Sequence, residues 1–276
     1  METDLEVMAR LTFAREAARA AEGVILKHFG SSGSARFEVK SDGSPVTVAD
    51  RGAEELIRGL IARDWGSDGV VGEEFGASEG RSGYRWVIDP IDGTKSFVHG
   101  VPLFGTLIGV QCRDEGGGPA GDGWRSVAGV VNFPALGERA WGSLGEGAWH
   151  QRGEGEPRAA RVSAVARLAE AAVSTSCPKM MDEHGGGEVY RRLNRRCGLS
   201  RGWSDCYGTL LVATGRIEVM IDPPMKLWDV AALEPIVMEA GGRLTGWDGR
   251  PTDGSTGAVA SNGLVHEEVI EVVRLG

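Results

Sequence analysis

The sequence is short of cysteine and histidine, has no surplus of positive charge and contains no long apolar run. Four cysteines (Cys112, Cys177, Cys197, Cys206) are spread over 276 residues with no CxxC pair. A disulfide framework is therefore not expected, and the thiols read as reduced structural groups of a cytoplasmic protein. The five histidines (28, 99, 150, 184, 266) are too scattered to suggest a zinc site. Lysine and arginine total 30 against 39 aspartates and glutamates, a net charge of −9. That balance argues against a nucleic-acid partner, because phosphate backbones select for a basic excess. It does not argue against a phosphorylated small molecule, since bound metal ions can reverse the local field. No apolar run reaches the roughly 18 residues needed to span a bilayer. The acidic start MetGluThrAspLeuGlu also lacks the apolar core of a signal peptide. The expectation is a soluble, cytoplasmic protein with no membrane partner.

What is present is glycine, at 43 residues, within an ordinary composition of 41% apolar and 25% charged residues. The length suits one domain of two closely packed halves, near 1–140 and 141–276. Residues 4–29 carry Leu5, Met8, Leu11, Ala14, Ala17, Ala21, Val24 and Ile25 at helical spacing, with Asp4 as a cap and Gly30 as the stop. A second helix is predicted over 50–64, with Ala53, Leu56, Ile57, Leu60 and Ile61 on one face. Short apolar strands are predicted at 70–71, 85–88, 106–111 and 127–132, with a hairpin tip at 115–123 and a turn at 152–157. The C-terminal half alternates strands (172–175, 217–221) with helices (204–214, 229–240) and ends on a helix near 264–274. Strands and helices mixed without a compositional break predict an α/β fold in one unit.

The chemistry concentrates in carboxylates. In TrpValIleAspProIleAspGlyThrLysSerPhe (86–97), an apolar strand runs into Asp89, Pro90 is expected to stop the ladder, and Asp92 comes next. Gly93 permits a tight turn and Thr94 opens a short helix, so two carboxylates, the Ile91 carbonyl and the amides of Gly93 and Thr94 face one spot. Oxygen-only ligands of this kind suit Mg²⁺. Taken alone, the motif reads sooner as good turn chemistry than as a catalytic site. Glu73 and Glu74 come after the strand at 70–71, where an acidic pair is also ordinary for a solvated turn. Asp229 opens an otherwise apolar helix, the place of a simple cap. Lys40, Thr47 and Asp50 precede the second helix.

With these four segments in order, the chain resembles the inositol monophosphatase superfamily. The matching pattern is Lys40 with Thr47-x-x-Asp50, Gly72-Glu73-Glu74, Asp89 to Thr94, and Trp228-Asp229 followed by Ala231-Ala232 and Glu239 to Gly242. The resemblance covers nearly the whole chain. It implies a layered αβαβα sandwich of the sugar-phosphatase type, a homodimer, and Mg²⁺ dependence with two or three ions per site. It further implies attack of an activated water on a phosphate monoester of a small metabolite. By the same resemblance Glu73, Asp89, the Ile91 carbonyl, Asp92 and Asp229 are the metal ligands, and Gly93 and Thr94 hold the phosphate by their amides. Thr94 with Asp50, beside Glu73, orients or deprotonates the water, and Asp229 also borders the substrate. No Ser/His/Asp or Cys/His arrangement competes as a nucleophile, and His99 reads as a packing residue.

Within the superfamily, TrpSerAspCysTyrGly (203–208) and the run from Asp92 to Gly109 resemble the histidinol-phosphate phosphatases. SerThrSerCysPro (174–178) is a looser match, with Cys177 out of pattern. Histidinol phosphate carries an ammonium and an imidazole, to which Asp205 would offer a charge-assisted hydrogen bond of about 1.5–3 kcal/mol. Helix capping is the other reading of Asp205. Asp222 stands where inositol enzymes commonly present a glutamate to a sugar hydroxyl. The leading expectation is hydrolysis of histidinol phosphate to histidinol and phosphate. Inositol 1-phosphate or another polyol phosphate comes next, then fructose bisphosphate or 3′-phosphoadenosine phosphate. A silent metal- or phosphate-binding regulator is the alternative outside enzymes.

Overall fold

The computed structural model describes residues 2–30, 37–39, 45–118, 121 and 123–275; Lys40 lies outside them. The first helix runs Glu2–Leu26. It starts ahead of Asp4, which therefore is not its cap. It buries Val7, Leu11, Ala14, Ala17, Ala18, Ala21 and Ile25, whereas Leu5 is exposed. The small residues on that stripe let it lie close to the second helix, Val48–Asp64. That second helix begins earlier than periodicity suggests because Thr47 caps it. Thr47 Oγ1 accepts from the Ala49 and Asp50 amides, and Asp50 Oδ2 accepts from the Thr47 amide at 2.8 Å.

Both helices cover one face of an eight-stranded sheet. In spatial order its strands are Arg158–Ala159, Gly147–Arg152, Glu138–Ser143, Trp124–Phe133, Gly105–Arg113, Tyr84–Asp92, Gly69–Gly72 and Gly76–Ser78. Only the pairing of Gly69–Gly72 with Tyr84–Asp92 is parallel. Residue 140, the expected join between halves, falls inside the strand Glu138–Ser143, and the sheet continues to Ala159. A second sheet of five strands has the order Leu199–Arg201, Ala172–Ser174, Val219–Asp222, Ala258–Ser261, Arg243–Thr245. Helices Asp205–Ala213 and Leu233–Glu239 fill the space between the sheets, and Gly187–Arg196 and His266–Arg274 close the far face. Three apolar clusters thus hold five structural layers together, an αβαβα sandwich. No helix is long and apolar enough to cross a membrane among the described residues.

At two further places the local structure departs from expectation, and both lie where the carboxylates gather. Pro90 does not end its strand: Tyr84–Asp92 continues through it, with a register shift between Asp89 and Asp92. The shift takes up the missing proline N–H, and the Pro90 carbonyl is satisfied by Thr106 Oγ1 at 2.9 Å. The helix expected over 229–240 is two helices, Leu227–Val230 and Leu233–Glu239. The break between them and the second of the two lie on a strip of three cross-strand glycines, Gly109, Gly129 and Gly142, which pair in register. A Cβ on Gly109 would sit 3.0 Å from the Ala231 carbonyl carbon, and one on Gly142 3.0 Å from the Ile236 Cα. One on Gly129 would overlap the Ala232 backbone outright. The bare strip therefore sets how close the helix carrying Asp229 comes to the sheet carrying Asp89.

Candidate active site

The bulged end of Tyr84–Asp92 supplies the centre of the site. Asp89 is 2% exposed, and its Oδ1 accepts from the Ile91 amide at 3.0 Å, a local turn that bends the chain around Pro90. Asp92 points toward the second half of the molecule, where the Cys206 amide donates to its Oδ2 at 2.6 Å. Asp229, in the first turn of Leu227–Val230, accepts from the Lys226 amide at 2.7 Å. So Asp229 does act as a helix-start acceptor, as the capping reading holds, and it also faces the other two carboxylates. One oxygen from each of Asp89, Asp92 and Asp229 lies within 4.8 Å of the others.

Three carboxylates so close, Asp89 buried and the other two half-buried, repel one another, and all three titrate above their usual range. Burial pushes Asp89 up, with the charges of Glu73, Asp92 and Asp229 adding to it. Burial likewise raises Asp92, with Asp205 and Asp229 behind it. Asp229 is pushed up to about 7, chiefly by burial and then by Glu73, against the opposing Lys226 amide. A hard divalent cation is the species that this donor set suits: it would replace the mutual repulsion by attraction to oxygen ligands.

Glu73 comes directly after the strand Gly69–Gly72, and its amide donates to the Ile88 carbonyl at 3.2 Å. Its charge acts on Asp50, Asp89 and Asp229, which places it at the same centre. Asp50 is 1% exposed and raised to about 6, by burial first and by Glu73 in smaller part, with Thr47 opposing. Thr94 Oγ1 lies 3.0 Å from the Ile91 carbonyl and 3.4 Å from Asp50 Oδ1. Its one proton goes to the nearer acceptor in this state, so Asp50 is the more distant of two partners. Gly93 adopts φ 82°, open to glycine without strain, and starts the helix Thr94–Val98. At the first positions of a helix the amides of Gly93 and Thr94 have no acceptor within it and face outward from its start.

Beside this centre a cavity of about 120 Å³ is lined by Asp92, Asp205, Asp222 and Asp229 together with Ser176, Met180 and Met225. Asp205 opens the helix Asp205–Ala213, and a Cβ on Gly93 would stand 3.1 Å from its Oδ2, so it overhangs the Gly93 turn. Asp222 ends the strand Val219–Asp222 and accepts from the Ser176 amide at 2.8 Å and from Thr175 Oγ1 at 3.4 Å. Burial raises it to about 6, against those hydrogen bonds. His99 stays outside, exposed, with its ring bonded to the Lys95 carbonyl at 2.8 Å. Cys177 precedes the helix Pro178–Glu183 as a free thiol and makes no cap.

Periodicity and motifs did not reveal Glu54. Fully buried, it pairs with Arg58 at 2.7 Å and accepts from the Glu74 amide at 2.7 Å and the Phe75 amide at 3.2 Å. It thereby fixes the turn that carries Glu73. The available signal was its place beside Ala53 on the face that Ile57 and Ile61 bury, where an unpaired carboxylate would be untenable. Nor did they reveal the grip of the Cys206 amide on Asp92, which no side-chain pattern announces.

The chain is similar to known proteins along almost its whole length. Residues 7–275 match the model of the inositol monophosphatase family. A histidinol-phosphatase from Chlorobaculum parvum is 42% identical, with 96% of this chain and 97% of that protein aligned. One from Streptomyces coelicolor is 40% identical over 85% of this chain and 86% of its own. Among solved structures, the IMPase of Thermotoga maritima superposes with a TM-score of 0.81 at 31% identity, covering 97% of each chain. With a match that spans almost every residue, the chain belongs to the inositol monophosphatase family.

Proposed function

We propose that this protein is a magnesium-dependent phosphatase that hydrolyses histidinol phosphate to histidinol and phosphate. The observation that carries the reading is the continuity of two acidic zones. The clustered oxygens of Asp89, Asp92 and Asp229 run directly into a cavity walled by Asp205 and Asp222. A phosphate needs the first zone neutralised, and a leaving alcohol with an ammonium suits the second. The names of the Chlorobaculum and Streptomyces relatives support that substrate.

In this reading Glu73, Asp89, the Ile91 carbonyl, Asp92 and Asp229 hold the metal, two or three ions in all. When bound, magnesium supplies charge neutralisation to the phosphoryl oxygens and acidifies the attacking water. The amides of Gly93 and Thr94 receive the phosphate oxygens at the start of the helix Thr94–Val98. Thr94 Oγ1 turns from the Ile91 carbonyl toward Asp50, 3.4 Å away, to take up and pass on the water's proton. Asp50 is suited to receive it because burial already favours its protonated form. Asp205 and Asp222 orient the alcohol, and the carboxylate of Asp205 pairs with its ammonium. The enzyme is read as a cytoplasmic homodimer.

Inositol 1-phosphate is the second reading, favoured by the family match and the likeness to the Thermotoga IMPase. Phosphate release from histidinol phosphate, measured with Mg²⁺ and after chelation, tests the proposal. Turnover that vanishes with chelation and returns with Mg²⁺ is expected. Turnover indifferent to chelation contradicts it, as does none with Mg²⁺.

A further inference from the structure

Ser204 is the only non-glycine residue with positive φ among the described residues, at φ 57° and ψ 159°. That combination belongs to a region of backbone space that is essentially reserved for glycine. A serine before a helix ordinarily repays its place by accepting a hydrogen bond from the second or third helical amide. Ser204 does not cap Asp205–Ala213. The amide it would have taken, that of Cys206, goes to Asp92 Oδ2 instead. Its hydroxyl is turned the other way, 2.7 Å from Asp205 Oδ2, 2.9 Å from Ser96 Oγ and 3.0 Å from the Leu103 carbonyl.

One hydroxyl has one proton to give. The charged, nearer acceptor takes it, so Ser204 donates to Asp205 and receives from Ser96. Ser96 lies in the helix Thr94–Val98, whose first residues form the phosphate turn. A chain of two hydroxyls therefore connects that helix to the one carboxylate that overhangs Gly93. Its lengths fix how far Asp205 stands from the phosphate position, and the short two-carbon link of the substrate limits how far its ammonium can lie from its phosphate.

We infer that Ser204 is a positioning residue for substrate choice: its strained backbone and uncapped hydroxyl hold Asp205 at the spacing that an amino-alcohol phosphate requires. The inference rests on the substrate reading above. It needs no change in the metal ligands, since Asp92 is held by a main-chain amide that persists whatever side chain stands at 204.

The test is steady-state kinetics of wild type, Ser204→Ala and Ser204→Gly, with Mg²⁺, on histidinol phosphate and on inositol 1-phosphate, alongside thermal melts. Both variants lose the hydroxyl, and only glycine relieves the backbone. The expected result is a KM for histidinol phosphate raised about tenfold in both, with kcat within about twofold. The kcat/KM ratio between the two esters should fall by the same factor. Ser204→Gly should melt above Ser204→Ala, because glycine adopts the observed angles freely. A wild type that prefers histidinol phosphate but an unchanged ratio in both variants overturns the positioning role and leaves the substrate reading standing. Equal losses on both esters also overturn it, by marking Ser204 as merely structural. A wild type without the preference overturns the substrate reading and this inference with it.

Discussion

The Cys206 amide, in the first turn of the helix Asp205–Ala213, and the Asp92 carboxylate, at the end of the strand Tyr84–Asp92, meet at 2.6 Å. A helix start between the two sheets thus grips a carboxylate at the end of a strand of the larger one. An asparagine at 92 would keep an acceptor for that amide while removing a charge that burial and the neighbours Asp205 and Asp229 oppose. Asp92→Asn is therefore expected to melt at or above wild type without metal, yet to lose activity by more than about 100-fold. Altering the partners of metal ligands alone already costs about 10- to 100-fold. Melting curves with and without Mg²⁺ check this: the variant should gain less from the metal than wild type does. A variant that stays active, or that unfolds, contradicts the assignment.

Glu54 offers a prediction on stability and metal together. Replacing it by alanine removes the carboxylate that Arg58 holds at 2.7 Å, leaving it the Gly76 carbonyl, and frees the Glu74 and Phe75 amides. Breaking one side of a buried pair costs about 3–5 kcal/mol, which chemical denaturation would read. Because the turn that carries Glu73 loses its anchor, Mg²⁺ titration should also show weaker binding. Loss of stability with intact metal affinity would mean that Glu73 is positioned by something else.

The glycine strip predicts an effect at a distance. Gly129→Ala places a methyl into the Ala232 backbone and must push back the helices that begin at Leu227. Overpacking of this kind costs about 1–3 kcal/mol, and here it also moves Asp229 away from Asp89. Folded Gly129→Ala protein is expected to show reduced Mg²⁺-dependent turnover, whereas Gly23→Ala, where an added Cβ meets nothing within 4 Å, should match wild type.

Proton linkage supplies a prediction whose sign is fixed. Asp229 in the folded protein sits near 7, raised above its usual 3.8. A group raised on folding contributes stability that is complete below the unfolded value and lost as pH climbs through the folded one. His266 works in the opposite sense, lowered from 6.5 to about 4 by burial, but only below 6.5. Asp229's share is lost mainly between about pH 4 and 7; above about pH 6.5, where His266 no longer opposes it, metal-free protein should still lose stability as pH rises to about 8. Saturating Mg²⁺ should remove that slope, because the cation replaces the proton, and its affinity should weaken as pH falls below about 7. A metal-free slope of the opposite sign would contradict the carboxylate account.

The four acidic segments are legible in the sequence because each keeps its chemistry within a few consecutive residues: Asp89 to Thr94 is a strand end, a bulge and a helix start in one short run. The layered fold comes from them by resemblance, and the first two helices from periodicity. What is not legible is assembled from residues far apart. Gly109, Gly129 and Gly142 are unremarkable singly and become a strip only through strand register. Glu54 looks like one more surface charge until the turn 72–75 folds over it. Ser204 reads as the first residue of the helix 204–214, and only its backbone angles and the position of Ser96 set it apart. The break between Val230 and Leu233 escapes a periodic reading because both pieces are apolar.

The most direct test of the central claim is kcat/KM with Mg²⁺ for histidinol phosphate against inositol 1-phosphate, fructose 1,6-bisphosphate and 3′-phosphoadenosine phosphate. The account predicts a preference for histidinol phosphate of at least about 100-fold, roughly 2.7 kcal/mol in transition-state binding. A flat profile, or a preference for inositol 1-phosphate, would contradict the role given to Asp205 and Asp222.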